Sequence, residues 1–309
     1  MRIEHISLEK KKEYTFPVVA CIGYFDGLHR GHQSLIEKTI ELSKKYACET
    51  ALITFEPDPV EVIRGTTNTK HITPMHQRVN LIVRFGIENI FILDFSKEMC
   101  ELPPEEFIKQ VLNRINLKAL VCGFDFHYGY KGEGNPETLK QSCPFEVVMM
   151  NEVIDNDKKV SSTRIIKCIQ EGNVKEAERL LGYPYEIIGT VSHGKHQGST
   201  KLGFPTANVK FSSEFIIPKP GVYACYAIVK GKQYKAMANF GHNPTFNYTD
   251  ELSLEAHVID YDGDLYGKRI RILFKDFIRE EKKFKSIGNL ILQLEQDAIT
   301  VKKILNDEE

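Results

Sequence analysis

The stretch from Gly23 to His32 constrains the fold of this chain more than any other. It reads Gly-Tyr-Phe-Asp-Gly-Leu-His-Arg-Gly-His and follows the apolar run Val18–Ile22. Apolar residues at helical spacing come next, beginning with Leu35 and Ile36. The predicted order is therefore strand, glycine-rich turn and helix. In that order, backbone N–H groups at the helix start and the helix dipole favour a bound anion, and glycines let the main chain approach it.

Two histidines in this stretch, His29 and His32, stand three residues apart, which places them on one face of the first helical turn. Imidazoles there can donate hydrogen bonds or charge to a phosphate during its transfer. The alternative is a tight turn with two solvated histidines. The stretch has neither the Gly-Lys-Ser/Thr of a P-loop nor the Gly-x-Gly-x-x-Gly of a dinucleotide fingerprint. The strand before it, the helix after it and the paired histidines together favour a nucleotide site.

The first half of the chain alternates strands with helices. Besides Val18–Ile22, β-rich runs indicate strands at 51–55, 89–93, 119–123 and 145–149. Helical periodicity fills 74–85 and the segment that begins at Pro104. This alternation predicts an α/β fold with a doubly wound parallel sheet, in which ligands bind beyond the carboxyl ends of the strands.

Three polar clusters follow these predicted strands or begin a helix. Thr54–Pro59 is a strand end that leads into a proline-stiffened turn, and nothing more is required of it. In Gly123–Gly129, Asp125 stands between aromatic residues and is suited to a ribose or amine hydrogen bond; the alternative is a buried aromatic cluster with a turn aspartate. Ser161–Arg164 offers hydroxyls, helix-start N–H groups and a guanidinium to a triphosphate, or is an ordinary helix cap with a surface arginine.

The second half has a different pattern. A helical stretch through Leu181 ends at Gly182-Tyr183-Pro184, and we predict the domain boundary there, with domains at 1–183 and 184–309. Beyond it, β-rich runs at 187–191, 222–229, 234–238, 252–259 and 269–277 predict a small antiparallel β-barrel of five or six strands. An amphipathic C-terminal helix with apolar residues from Ile287 to Ala298 is expected to pack on that barrel.

Composition limits the class of protein. The chain has 309 residues and a formal net charge of −1, which gives no electrostatic reason to expect nucleic acid or a membrane as partner. Its seven cysteines contain no Cys-x-x-Cys pair and are read as reduced thiols. No run approaches the roughly 20 apolar residues of a membrane helix, and the N-terminus lacks a signal peptide's apolar region, so we expect a cytoplasmic protein.

The second half also carries the heptapeptide Leu202–Asn208. The Thr206 hydroxyl and the Asn208 carbonyl are oxygen ligands two residues apart, hence on one side of an extended segment. Hard oxygen ligands beside a phosphate suit Mg²⁺. Taken alone, the heptapeptide favours a proline turn with polar ends.

The first-half motifs together resemble the FMN adenylyltransferase part of bacterial bifunctional riboflavin kinase/FAD synthetases. The matches are GxFDGxHxGH at Gly23–His32, TFxPxP at Thr54–Pro59, GxDFxFG at Gly123–Gly129 with Tyr128 for the last Phe, and SSTRIR at Ser161–Ile166. The segment of Thr73 with Arg78 is similar to T-x-x-x-K/R, with one more residue between the two. The resemblance implies that His29 and His32 contact the phosphates of ATP and act in catalysis. It implies further contacts to ATP or its phosphates by Gly23, Phe25, Asp26, Gly27, Asp125, Ser162, Thr163 and Arg164.

The second half resembles riboflavin kinase, whose signature GFPTAN is matched by Gly203–Asn208. Segments that also fit are Asn239–Thr245, Leu254–His257 and Phe277–Phe284. The resemblance implies that Glu255 is the general base for the ribityl 5′-hydroxyl and that Thr206 and Asn208 bind Mg²⁺ and the phosphates of ATP. It also implies ATP contacts by Phe204, Gly221 and Tyr223, and a flavin contact by Arg279.

The chain departs from the family pattern at three places. Asp58 stands where the family usually has histidine, and Ile166 replaces the last arginine of SSTRIR. An arginine usual before the kinase signature is absent from Gly198–Lys201. The first two departures fall in the adenylyl half and put its rate or nucleotide affinity in question.

The expected function is ATP-dependent phosphorylation of riboflavin to FMN, followed by adenylylation of FMN to FAD with release of pyrophosphate. The partners expected are riboflavin, FMN, ATP and Mg²⁺, with no nucleic acid, no membrane and no obligatory protein partner. One alternative is an enzyme with one dominant activity and a weakened adenylyl half. Another is a catalytically silent flavin-binding regulator, against which the set of Glu255, Thr206 and Asn208 argues.

Overall fold

The computed structural model describes residues 1–192, 206–242 and 252–306. Contacts within the chain divide it into two compact units, Met1–Ser162 and Thr163–Glu309. No helix in the described ranges is long and apolar enough to cross a membrane.

The first unit is built from strands and helices that alternate along the chain. Its strands are β1 (Arg2–Ile6), β2 (Tyr14–Ile22), β3 (Glu49–Glu56), β4 (Asn89–Asp94), β5 (Ile115–Gly123), β6 (Glu146–Met150), β7 (Ile154–Asp155) and β8 (Lys158–Lys159). Its helices are α1 (Arg30–Tyr46), α2 (Pro59–Arg64), α3 (Met75–Arg84), α4 (Lys97–Cys100), α5 (Pro104–Gln110) and α6 (Pro136–Ser142). Strands β7 and β8 form a separate antiparallel hairpin.

The first six strands form one parallel sheet in the order β1-β4-β3-β2-β5-β6. Residues Val18–Ile22 of β2 are at most 1% exposed, because helices and loops cover both faces of the sheet. From β2 the chain continues to one side through β3 and β4, and then returns to the other side as β5. The carboxyl ends of β2 and β5 therefore flank the point where the strand order reverses, which is where such sheets bind ligands.

The doubly wound parallel sheet predicted from the sequence is confirmed. Its five predicted strands and the helix at 74–85, observed at Met75–Arg84, are present. Strand β1 was not predicted; its residues Arg-Ile-Glu-His-Ile form an edge strand that is mostly exposed. An edge strand buries too little apolar surface to leave a strong pattern in the sequence.

The second unit begins with the helices α7 (Ser162–Gln170) and α8 (Val174–Leu181). Its strands are β9 (Glu186–Ser192), β10 (Ala207–Phe211), β11 (Gly221–Val229), β12 (Lys232–His242), β13 (Leu252–Val258) and β14 (Arg269–Arg279), and its last helix is α9 (Ile287–Asn306). The strands form a closed antiparallel barrel in the order β10-β13-β12-β11-β14-β9. The predicted barrel is confirmed, with β10 as the strand that the sequence analysis did not identify.

The C-terminal helix packs on the outside of the barrel, as predicted. Val301 and Leu305 of α9 are fully buried against Val222, Ala224 and Met237 on the outer faces of β11 and β12. The apolar side chains that anchor the helix thus lie in its last turns, further along the chain than the pattern at 287–298 indicated. The first residue of α9, Ile287, is 66% exposed.

Helices α7 and α8 decide where the chain can be divided. Within the second unit, α8 contacts β14, and two ion pairs join them, Glu178–Lys275 at 2.6 Å and Lys175–Asp276 at 2.8 Å. The boundary predicted at 183/184 assigns both helices to the first domain instead. That boundary stays a prediction.

Fragments of the chain test it. Because Leu180 and Leu181 are fully buried, and each buried leucine contributes roughly 1.5–3 kcal/mol, residues 163–309 should melt at a higher temperature than residues 184–309. Circular dichroism melting curves of the two fragments measure this. Equal melting temperatures, together with a stable fragment 1–183, would place the boundary where the sequence analysis predicted it.

Candidate active sites

The loop after β2, residues 23–29, has an unusual backbone. Phe25, Gly27 and Leu28 have φ angles of 59°, 77° and 36°, and residues other than glycine rarely adopt positive φ angles. At Gly27 the positive φ would strain any larger residue, and a Cβ atom would lie 2.9 Å from Ile72 Cδ1 and displace that side chain. Strain of this kind persists only where surrounding contacts enforce it, and it is concentrated at functional sites.

Asp26 supplies much of that enforcement. Its carboxylate accepts the backbone N–H groups of Ile72 at 3.1 Å and Thr73 at 2.9 Å, as well as the Thr73 hydroxyl at 3.1 Å. In return, the N–H of Gly27 donates to Thr73 Oγ1 at 2.8 Å. Asp26 is 7% exposed, and these contacts are with the protein itself. Its predicted contact with the nucleotide stays a prediction, and the observed contacts make it a residue that shapes the loop.

Arg78 completes the network beneath the loop. It is 1% exposed, and its guanidinium donates to the carbonyls of Tyr24 at 3.0 Å and Thr73 at 3.2 Å and lies 3.6 Å from the Asp26 carboxylate. Thr73 and Arg78 belong to a segment that resembles a family motif, but the resemblance assigns them no role. A buried cation that is fully paired is costly to unpair, so Arg78 fixes the loop on one side as Asp26 does on the other.

The two histidines stack at the start of α1. Their ring centroids are 3.7 Å apart with an angle of 13° between planes, and His29 Nδ1 accepts the backbone N–H of His32 at 3.3 Å, which caps the helix. A Cβ atom on Gly31 would lie 3.1 Å from the His29 ring, so the glycine makes room for this stack. His32 Nδ1 is buried and has no hydrogen-bond partner among the described residues.

Both imidazoles are neutral near pH 7. Burial lowers the pKa of His29 from 6.5 to about 4, and burial followed by the neighbouring His29 lowers the pKa of His32 well below 6.5. Of the two roles that the sequence analysis left open, donation of hydrogen bonds therefore fits the histidines, and donation of charge does not.

A cavity of about 780 Å³ opens above this loop, beyond the carboxyl ends of β2 and β5. This volume is within the range of small-molecule sites. His29, His32 and Ser161 are among the polar residues that line it. Its lining also contains many apolar side chains, among them Phe55, Ile63, Phe95, Met99, Phe107 and Phe126.

The segment 123–129 forms a further part of the wall. Phe124, Asp125, Phe126 and His127 all line the cavity, and Asp125 is ion-paired with Lys159 on β8. Asp125 is therefore placed at the cavity, as expected of a ligand-binding residue, rather than sealed within a buried aromatic cluster. Lys159 was not identified in the sequence analysis, because a lysine in a charged turn carries no pattern of its own.

The segment 161–164 is shared between two environments. The Ser162 hydroxyl donates to the carbonyl of Asp26 at 3.0 Å, which ties it to the strained loop. Thr163 is exposed, and Arg164 pairs with Glu176 of α8 at 2.8 Å within the second unit. Phosphate binding by these three residues stays a prediction.

The departure at Asp58 has a structural counterpart. Asp58 caps α2 by accepting the N–H of Val60 at 2.7 Å, and its other oxygen lies 3.9 Å from His71 Nδ1. Its neighbour Pro59 lines the cavity. The added carboxylate is thus held by a helix start and a histidine. Ile166 lies partly buried on α7, and nothing in the structure explains it.

The second candidate site lies on the outer face of the barrel. Asn208 of β10 is directly opposite Glu255 of β13, and Glu255 is directly opposite Asn239 of β12. Side chains in such pairs have Cβ atoms about 4.5–5.5 Å apart on one face of the sheet. Their neighbours Ala256 and Ala238 are fully buried in the barrel, so this polar row faces outward.

This polar row contains Asn208 and Glu255, which the sequence predicted as site residues, and Asn239, to which it gave no role. Thr206 immediately precedes β10, two residues before Asn208. Asn239 donates to Glu281 at 3.4 Å, which adds a second carboxylate beside Glu255. Phe204 lies outside the described residues. Threonine, asparagine and glutamate oxygens are the donors that Mg²⁺ prefers, so the residues present fit that ion.

Gly221, Tyr223 and Arg279 have structural partners of their own. A Cβ atom on Gly221 would lie 2.5 Å from the carbonyl oxygen of Arg279, so glycine is required where β11 meets β14. Tyr223 is fully buried, and its hydroxyl donates to the carbonyl of Lys219. Arg279 donates through Nη2 and Nε to the buried Asp297 of α9 at 2.7 and 3.0 Å. Ligand contacts by these three residues stay predictions.

Comparisons with known proteins agree with the two units. The FAD synthetase family profile matches residues 11–164, and the riboflavin kinase profile matches residues 181–305. A bifunctional riboflavin kinase/FMN adenylyltransferase of Listeria monocytogenes is 36% identical over 282 residues, which are 90% of each chain. That of Bacillus subtilis is 36% identical over 291 residues, 93% of this chain and 92% of the relative.

A solved structure is similar along the same length. It is described as a macrolide-efflux protein of Streptococcus pneumoniae, is 32% identical and has a TM-score of 0.88 over 96% of this chain and 98% of that one. Both family profiles together with these relatives span most of the sequence. The chain belongs to the family of bifunctional riboflavin kinase/FMN adenylyltransferases.

Proposed function

We propose that the second unit phosphorylates riboflavin to FMN with ATP, and that the first unit transfers AMP from ATP to FMN to give FAD and pyrophosphate. The observation that carries the proposal is the cavity at the strand-order reversal, where the stacked histidines meet an apolar wall. The relatives named for two activities support it, and nothing favours a chain with one activity or a silent regulator.

Adenylyl transfer needs positioning more than protein chemistry. An oxygen of the FMN phosphate attacks the α-phosphorus of ATP, and the bond from that phosphorus to the pyrophosphate oxygen breaks. No protein nucleophile takes part, so the rate depends on alignment and on stabilisation of the charge that develops on the phosphates. The neutral His29 and His32 supply N–H donors, and the start of α1 supplies the positive end of a helix dipole.

The apolar wall is suited to the flavin. Phe55, Phe95 and Phe126 offer ring surfaces of the kind that an isoalloxazine packs against, and Met99 adds a polarisable side chain. The polar wall on the side of His29 then receives the phosphates. One cavity therefore holds the apolar ring and the anionic end of the substrates in different parts.

The kinase reaction uses the polar row of the barrel. Glu255 is the general base that takes the proton of the ribityl 5′-hydroxyl as that oxygen attacks the γ-phosphorus of ATP, and the bond from that phosphorus to the β-phosphate oxygen breaks to release ADP. Thr206 and Asn208 would hold Mg²⁺ and the ATP phosphates. Asn208 and Asn239 lie opposite the base on the two neighbouring strands. Bound Mg²⁺ would offset the negative charge of the transferring phosphoryl group.

Replacement of the base tests the kinase assignment. Glu255→Gln should lower FMN formation on the order of 10²–10⁴-fold and leave FAD formation from added FMN unchanged. Chromatographic separation of riboflavin, FMN and FAD measures both rates. The exposed Glu214→Gln, also in the second unit, is the matched control. Equal loss of both activities in the Glu255 variant would refute the assignment of one reaction to each unit.

Replacement of both histidines should have the opposite effect. His29→Asn/His32→Gln keeps a side-chain cap for α1 but removes both imidazoles. FAD formation from FMN should fall on the order of 10²–10³-fold, while phosphorylation of riboflavin persists. If FAD were formed at the rate of the unaltered chain, the histidines would have no part in the reaction.

The buried histidines also predict a pH dependence of stability. Their pKa values are lower in the folded than in the unfolded chain, which titrates near 6.5, so only the unfolded chain binds these protons as the pH falls below 6.5. The contribution of the two histidines to the free energy of unfolding is therefore fully present above pH 6.5 and decreases as the pH falls toward 4.

Melting curves of the first unit between pH 7 and 4.5 measure this effect. The melting temperature of the unaltered chain should fall more steeply with acid than that of His29→Asn/His32→Gln. The exposed-histidine variant His5→Gln should follow the unaltered chain. Parallel curves for all three would show that the stacked pair does not control acid stability.

A further inference from the structure

His71 connects two segments that line the cavity of the first unit. Its Nδ1 atom lies 3.3 Å from the hydroxyl oxygen of Tyr24 and 3.9 Å from a carboxylate oxygen of Asp58. Tyr24 belongs to the loop after β2 and lines the cavity, while Asp58 caps α2, of which Pro59 and Ile63 line it. The side chain of His71 is 14% exposed, so these contacts are largely shielded from solvent.

Tyr24 is fixed from below by the buried network under the loop. The Arg78 guanidinium lies 4.3 Å from the centre of the Tyr24 ring and donates to the Tyr24 carbonyl at 3.0 Å. The Thr54 hydroxyl donates to the same carbonyl, also at 3.0 Å. Burial raises the pKa of the Tyr24 phenol, so its hydroxyl stays protonated near pH 7. The contact with His71 then holds the far end of this side chain.

Helix α2 is tied at two points to the segment that carries His71. None of the six residues of α2 is buried, so burial in the core contributes little to its position. Asp58 caps the helix by accepting the N–H of Val60 at 2.7 Å through Oδ1, and its Oδ2 faces His71. Glu61 of α2 accepts the N–H of Thr69 at 2.6 Å. The place of α2 in the cavity wall therefore depends on this segment.

The backbone at His71 is itself held in place. The next residue, Ile72, is 1% exposed and donates its N–H to the Asp26 carboxylate at 3.1 Å. His71 is thus anchored on the network that shapes the loop, and it faces both Tyr24 and Asp58 with one ring atom. Loss of the imidazole would leave the Tyr24 hydroxyl and the start of α2 without this common contact.

We propose that His71 is a positioning residue for adenylyl transfer, and that it sets the separation of Tyr24 and α2 and hence the width of the cavity where the flavin of FMN binds. The inference rests on the proposed adenylyl transfer in the first unit, in which Phe55, three residues before Asp58, offers a ring surface to the flavin. The Asp58 carboxylate favours a proton on Nδ1, so the imidazole donates toward the Tyr24 hydroxyl. His71 keeps that proton, and the bonds made and broken stay those at the α-phosphorus.

Removal of the imidazole from the full-length chain tests this role. His71→Leu should raise the KM for FMN in FAD formation by about 5- to 20-fold, the loss expected for one hydrogen bond and a nearby charge. The kcat and the KM for ATP should stay within about threefold, because other contacts hold His29 and His32. Phosphorylation of riboflavin should be unchanged. Initial rates at varied FMN and ATP, measured by chromatography of the flavins, give these values.

Matched variants separate the polar contact from the stability of the unit. His71→Asn places an amide group near the position of Nδ1 and should keep the KM for FMN much closer to that of the unaltered chain. His76→Leu makes the same exchange at an exposed histidine of α3 and should change neither KM. Melting curves verify that each variant is folded. Should His71→Leu fail to fold, Tyr24→Phe, which removes the partner hydroxyl alone, has to show the rise instead.

A double variant tests whether His71 acts through Tyr24. In a chain that already carries Tyr24→Phe, His71→Leu should raise the KM for FMN by less than it does in the unaltered chain, because the shared contact is already absent.

Three results would overturn the inference. The first is a His71→Leu variant whose KM for FMN stays within about twofold of the unaltered chain, whatever its melting temperature. The second is an equal rise for His71→Asn, and the third is a double variant in which the two rises multiply in full. If the unaltered chain formed no FAD from FMN, the proposed adenylyl transfer itself would fail, and that outcome is distinct from all three.

Discussion

The first unit depends on a buried ion pair that lies under its ligand cavity. Asp26 and Arg78 are 3.6 Å apart, and both are bound in addition to the backbone around Thr73 or Tyr24. This network keeps Phe25 and Leu28 at positive φ angles, which places the two histidines at the start of α1. Removal of one partner from such a pair typically costs about 3–5 kcal/mol, because a buried charge is left behind. The shape of the loop at residues 23–29 and the stability of the first unit therefore depend on the same contacts.

The fold was largely predictable because its signals are local. The apolar run Val18–Ile22 is buried on both sides, and strands of that kind are evident in a sequence. Strands β1 and β10 were missed because each has only five residues and includes charged ones, and their pairing is decided by neighbours far along the chain. The division after Ser162 was not predicted for a similar reason. Contacts with β14 place α8 in the second unit, and no break in the sequence before α8 marks that division.

The candidate sites were predictable only in part. Motif resemblance located His29, His32, Asp125, Asn208 and Glu255, and the structure places the first three on one cavity and the last two on one face of the barrel. It gave no indication that the histidines are stacked and neutral, since that follows from burial by residues distant in sequence. Lys159 and Asn239 gain their positions from a hairpin and from strand register, neither of which a single motif encodes.

The polar row across the barrel has a consequence for how this half of the protein can vary. Asn208, Glu255 and Asn239 are aligned by pairing between whole strands, and successive residues on a strand point to opposite faces. Sliding β13 by a single position would turn Glu255 inward and bring Leu254 out, which would disrupt the core and the polar row together. Deletions of one residue within these strands are therefore excluded on two grounds, whereas changes in loop length away from the row leave the alignment intact. The register of the closed barrel thus fixes the relative positions of Asn208, Glu255 and Asn239.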